Sequence, residues 1–122
     1  MNIHESGEDY LETILMLCRQ HGSARSVDIA AHLSVSKPSV SFAMKKLREN
    51  GYILMGDDNR ITLTDRGEAI ACRILERHDL LTHMLMRLGV SEEVARADAC
   101  KIEHDLSDET FEAIRRHLAA YQ

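Results

Sequence analysis

Ser34-Val35-Ser36-Lys37-Pro38-Ser39-Val40-Ser41-Phe42-Ala43-Met44-Lys45-Lys46-Leu47-Arg48-Glu49-Asn50-Gly51 passes from a short polar turn into an apolar-periodic segment and then into a stop. Val40, Met44 and Leu47 recur at helical spacing, Pro38 suits a first helical turn, and Asn50-Gly51 ends the helix. Upstream, Ser26-Val27-Asp28-Ile29-Ala30-Ala31-His32-Leu33 reads as a short helix with Ser26 as its cap, so Ser34–Ser36 joins two helices. Downstream the period shortens. Tyr52–Met55 and Arg60–Thr64 are strand-like runs around Gly56-Asp57-Asp58-Asn59, a turn composition that predicts a β-hairpin. A tight two-helix motif followed by a hairpin is the order of a winged helix–turn–helix.

The flanking sequence is helical. Residues 5–20 predict a helix capped by Ser6, with Leu11, Ile14, Leu15, Leu17 and Cys18 on one face and His21-Gly22 as its stop. A long helix capped at Thr64 or Asp65 should run to about Leu88. Ser91-Glu92-Glu93 and Ser107-Asp108-Glu109-Thr110 open two more. The expected fold is mainly α: a winged helix–turn–helix with a two-stranded wing over residues 1–64, then a helical metal-binding and dimerisation domain over 65–122. One Pro and six Gly in 122 residues fit that class better than a sandwich or barrel.

No apolar run approaches the ~18 residues of a membrane span, and the N-terminus is acidic, unlike a secretory signal. A cytoplasmic protein without a membrane partner is expected. Three cysteines cannot form a complete disulfide framework. Cys18 and Cys72 lie in apolar helical patterns and read as small buried hydrophobes.

The net charge of −5 hides a split. Arg19, Arg25, Lys37, Lys45, Lys46 and Arg48 face one acid, Asp28, within that span, whereas twelve acids follow from Asp65 onward. A DNA backbone meets the local field, so a basic face on an acidic chain remains a nucleic-acid candidate. The second helix of such a motif enters the major groove with its N-terminal residues near base edges. Lys37, Pro38, Ser39 and Ser41 occupy that position, with Lys45 and Lys46 further along and Arg25, Ser26 and Ser36 at the flanking helix starts. The expected partner is double-stranded operator DNA. Asp57 and Asp58 make the hairpin tip a poor phosphate contact.

Cys100-Lys101-Ile102-Glu103-His104 carries the other chemistry. On a helix, i, i+3 and i+4 share a face, so Cys100, Glu103 and His104 should project together. Thiolate, carboxylate and imidazole are all transition-metal ligands. One helix face cannot close a coordination shell, and Asp9 with Glu12, again at i, i+3, and His78 are candidates for the rest.

Glu8-Asp9-Tyr10-Leu11-Glu12-Thr13-Ile14, Arg77-His78-Asp79-Leu80-Leu81 and Cys100-Lys101-Ile102-Glu103-His104-Asp105-Leu106-Ser107 resemble the iron- and manganese-dependent repressors of the diphtheria toxin repressor and manganese transport regulator family. The resemblance spans the chain in the family's order. It implies a metal site between the first helix and the dimerisation helices, control of metal-uptake genes, and a homodimer. Asp9, Glu12, His78, Glu103 and His104 match ligand positions of the manganese branch; Cys100 matches the iron branch, which has Met at the position of Asp9. The second site of the iron branch uses acidic and His side chains where this chain has Thr82 and Arg96. The SH3-like domain of the longer iron-type members is not expected here. A thiolate favours Fe(II) over Mn(II), the carboxylates suit either, and Fe(II) satisfies both sets, with Mn(II) next.

Leu80, Leu81, Met84, Leu85 and Leu88 form a broad apolar stripe, the expected dimer surface and in part the internal core. No His-Glu-x-x-His motif or phosphate-binding glycine loop is present, so neither an enzyme nor a small-molecule substrate is expected. The nearer alternative is a winged-helix regulator that senses a small organic ligand or an oxidant, independent of metal.

Overall fold

The computed structural model describes residues 5–120, as six helices and a two-stranded sheet: α1 (Glu5–His21), α2 (Ser26–Leu33), α3 (Lys37–Glu49), β1 (Ile53–Met55), β2 (Ile61–Leu63), α4 (Asp65–Arg87), α5 (Glu92–Ile102) and α6 (Asp108–Ala120). Two compact units divide within α4, as Met1–Cys72 and Arg73–Gln122.

The core of the first unit gathers Leu11 and Ile14 of α1, Ile29 of α2, Val40, Met44 and Leu47 of α3, and Tyr52, Ile53 and Ile61 of the hairpin, each almost wholly buried. Its helix ends explain its compactness. Ser36 caps α3 by accepting from Ser39 N at 3.2 Å, which leaves Pro38 in the first turn. At the other end Gly51, at φ +81°, donates to Arg48 O while Tyr52 N donates to Leu47 O, the double closure of a Schellman motif. Tyr52 enters the hairpin directly from that closure.

The hairpin is antiparallel, with Ile53 opposite Leu63, Leu54 opposite Thr62 and Met55 opposite Ile61. Its strands have three residues each, shorter than the runs read from sequence. Ala24 and Ile61 exchange both backbone hydrogen bonds, at 2.9 and 2.7 Å, so the segment between α1 and α2 is stitched to the wing. Thr64 caps α4: its Oγ1 accepts from Gly67 N at 3.1 Å and donates to Gly51 O at 2.7 Å. Gly67 lies so close to the strand that a Cβ there would overlap the Tyr52 carbonyl.

Two caps differ from expectation. Ser6 lies within α1, and the N-cap of α2 is Arg25, with Ser26 as the first helical residue and no side-chain cap bond. The Ser26 hydroxyl is therefore not committed to closing that helix. Cys18 and Cys72 are half-buried rather than core. Burial, and then the Glu68 carboxylate, push the Cys18 thiol above its ordinary pKa, so it stays protonated.

In the second unit, Ile74 and Leu81 of α4, Ala95 and Ala99 of α5, and Phe111 and Leu118 of α6 are buried. Gly89, at φ +102°, closes α4 with a second Schellman pair, Gly89 N to Met86 O and Val90 N to Leu85 O. Ser107 caps α6 by accepting from Thr110 N. The expected dimer stripe divides: Leu81 is core, Leu80, Met84 and Leu85 are half-buried, and Leu88 is 74% exposed.

Ser34 ends α2 in the left-handed region, at φ 54°. Ser34→Gly removes a cost of roughly 1–2 kcal/mol for an L-residue there and loses about 0.4–1 kcal/mol through a freer unfolded chain. The expected result is a net gain of about 0.5 kcal/mol in urea unfolding. Gly67→Ala should instead lose about 1–3 kcal/mol, because the Tyr52 backbone has to move.

Candidate metal centre and nucleic-acid interface

α4 presents Arg77 and His78 in succession, both buried, and α5 brings Cys100 on its last turn. The helix stops at Ile102. Glu103 is its C-cap, at φ −60° and ψ −26°, and His104 lies in the following turn. Glu103 N still donates to Ala99 O at 3.0 Å, so Cys100 and Glu103 project together as expected, while His104 falls in the turn beyond the helix.

Arg77 closes that end. Its Nη1 donates to Glu103 O at 3.2 Å and Leu106 O at 2.8 Å, and its Nη2 donates to Asp108 Oδ1. Carbonyls at and just beyond a helix end lack internal partners, and here one guanidinium nitrogen answers two of them while the other holds Asp108. The same guanidinium lies over the Phe111 ring, 5.0 Å from its centroid. The sequence reading gave Arg77 no role. A buried arginine requires partners, and only the packing identifies them.

His78, Cys100 and Glu103 converge. One ligand atom from each lies within 4.8 Å of the other two. His78 Nδ1 stands 2.9 Å from Glu103 Oε2 and 3.6 Å from Cys100 Sγ. One proton lies between the His78 ring nitrogen and the Glu103 carboxyl at the shorter distance. Glu103 is fully buried, and its Oε1 has no hydrogen-bond partner. His104 Nε2 is 3.4 Å from Oε1, within ion-pair reach but not in hydrogen-bonding geometry. The oxygen is therefore left incompletely satisfied.

His78, Cys100 and Glu103 thus bring nitrogen, sulfur and oxygen donors together, with one buried carboxyl oxygen unanswered, a set that fits a divalent first-row cation. Occupancy requires a bare His78 nitrogen and a Cys100 thiolate, so acid competes with it. Asp9 and Glu12 lie in the first unit, half-buried and one helical turn apart on α1.

The nucleic-acid candidates belong to the first unit. Arg25, Ser36, Lys37, Pro38, Ser39, Ser41, Lys45 and Lys46 are exposed, and Ser26 is half-buried. A groove of about 540 Å³ is lined by Arg25, Ser26, Ser41, Lys45, Arg48 and Asp58, among others. Arg48 is an addition to the sequence reading, which counted its charge without placing it. At the wing tip Arg60 Nε pairs with Asp58 Oδ2 at 3.0 Å, so the local charges offset one another.

Arg77→Lys keeps the charge and loses the fork. The variant should fold but bind Co(II) roughly tenfold more weakly, the usual scale for removing a group that holds a ligand in place. Titration of the cobalt–thiolate charge-transfer band measures this, and unchanged affinity would remove Arg77 from the site's support.

Residues 2–58 match the iron dependent repressor N-terminal DNA binding domain, and residues 64–122 match the iron dependent repressor metal binding and dimerisation domain. The transcriptional regulator MntR of Escherichia coli O6:H1 is 44% identical over 108 residues, covering 88% of this chain and 70% of the relative. Among solved structures, that of T. acidophilum IdeR superposes with a TM-score of 0.84 at 27% identity, over 92% of this chain and 53% of its own. The manganese regulator SloR gives 0.83 at 29%, over 98% and 55%. The chain therefore spans about half the length of these solved relatives. With both domain models matched in order and MntR at 44% identity, the chain belongs to the iron-dependent repressor family of metal-dependent transcriptional regulators.

Proposed function

We propose that this chain is a cytoplasmic repressor that binds operator DNA as a homodimer when Mn(II) or Fe(II) occupies its metal site, and so controls metal uptake. The observation that carries this reading is the buried Glu103 carboxylate, with one oxygen unanswered, where His78 and Cys100 converge. His78, Cys100, Glu103 and His104 are the proposed ligands in the second unit. Asp9 and Glu12 enter through the sequence resemblance. A bound ion supplies positive charge that offsets the buried carboxylate and the thiolate. Affinity for such a site rises from Mn(II) to Fe(II), and the thiolate strengthens that order, so availability decides which metal responds.

On the DNA side, Lys37, Pro38, Ser39 and Ser41 are assigned to base edges. Arg25, Ser26, Ser36, Lys45 and Lys46 are assigned to phosphates. Metal represses because the DNA-competent form binds it better, and operator DNA must tighten metal binding by the same factor.

Anaerobic titration with Mn(II), Fe(II) and Zn(II), following retention of a duplex pool, tests this. Retention should rise with metal, reverse on chelation and lose its metal response in Glu103→Gln. Equal DNA affinity with and without metal would sink the proposal and favour a sensor of an organic ligand or oxidant.

The dimer rests on apolar surface that the second unit leaves uncovered: Leu88, Met86 at 42% exposure and Val94 at 50%. The chain should sediment as a dimer at micromolar concentration, and Leu88→Glu with Val94→Glu should yield monomer. A monomeric parent chain would remove this part of the reading.

A further inference from the structure

Phe42 is 65% exposed on α3, a position that helix packing does not explain. Val40, Met44 and Leu47 define the buried direction of that helix. At about 100° per residue, Phe42 points almost directly away from them. Pro38 and Lys45 flank it on one side, and Ser39 and Lys46 on the other. It stands one turn beyond the helix start, at the edge of a groove of about 330 Å³ that Ser6, Gly7 and Tyr10 of α1 also line, and most of its ring stays open to solvent.

Its surroundings select the kind of occupant. Lys46 Nζ lies 5.1 Å from the ring centroid, and Lys37 and Lys45 are exposed on the same helix. Lysine is depleted at the centre of protein–protein interfaces, so an apolar protein partner would have to desolvate these ammonium groups. A duplex instead meets them with phosphates. The apolar feature that its major groove offers is the thymine C5-methyl group.

We propose that Phe42 is a specificity-determining residue whose ring packs against the C5-methyl of a thymine in the operator. This rests on the DNA-binding reading above. It adds a base-reading contact that does not use hydrogen bonds, beside the hydroxyls of Ser39 and Ser41.

The test uses the whole chain with Mn(II) and a duplex selected from a random pool, with each thymine replaced in turn by deoxyuridine, which lacks only the methyl. In the parent protein, one position per half-site should lose roughly three- to fivefold in affinity, the scale of one buried methyl. Phe42→Ala should be indifferent to that replacement, and Phe42→Leu should keep part of the penalty. The salt dependence of binding should be the same in all three, because phosphate contacts are untouched.

If no deoxyuridine penalty changes in Phe42→Ala while the parent binds, the proposal is overturned and the DNA-binding reading stands. A changed salt slope without a changed penalty also overturns it, and assigns the ring to holding Lys46. Failure of the parent to retain any duplex, with or without metal, overturns both readings.

Discussion

Burying a carboxylate costs several kcal/mol unless charge or hydrogen bonds answer it, and the second unit is organised around that constraint at Glu103. His78 answers one oxygen, and His104 approaches the other without completing a hydrogen bond. The backbone beside it is fixed by Arg77, which takes the Glu103 and Leu106 carbonyls and the Asp108 side chain. The end of α5, the turn after it and the start of α6 thus share one guanidinium. A residue with no donor for a metal thereby controls where the donors stand.

Much of the fold was legible because its punctuation is local. Pro38, Gly51 and Gly89 act through their own backbone preferences, and the Ser36 and Ser107 caps need only their own helices. The hairpin was legible from its period and turn. The end of α5 was not, because no glycine or proline marks it and the partner of its carbonyls lies 26 residues away on α4. The caps assigned to Ser6 and Ser26 failed for a related reason: a serine near a helix start has cap chemistry whether or not the chain begins the helix there.

The candidate site was legible in part. Spacing singled out Cys100, Glu103 and His104 and offered Asp9, Glu12 and His78 beside them, and the resemblance matched all of these but Cys100 to ligand positions of the manganese branch. Composition could not distinguish a buried Glu103 from a solvated acid, nor give Arg77 a purpose. Phe42 escaped for the opposite reason. Helical spacing leaves it off the face of Val40, Met44 and Leu47 but cannot say how much of the ring stays open, which its 65% exposure does.

The pairing of Ala24 with Ile61 has a mechanical consequence. These two residues close a loop of chain that contains α2, the turn and all of α3. The chain that carries α3 is therefore tethered at both ends to one point on the wing, and the enclosed segment should open as one cooperative unit. Such a cassette is poorly suited to remodelling from within. A change that reaches α3 from elsewhere in the unit is therefore passed on by the cassette as a whole.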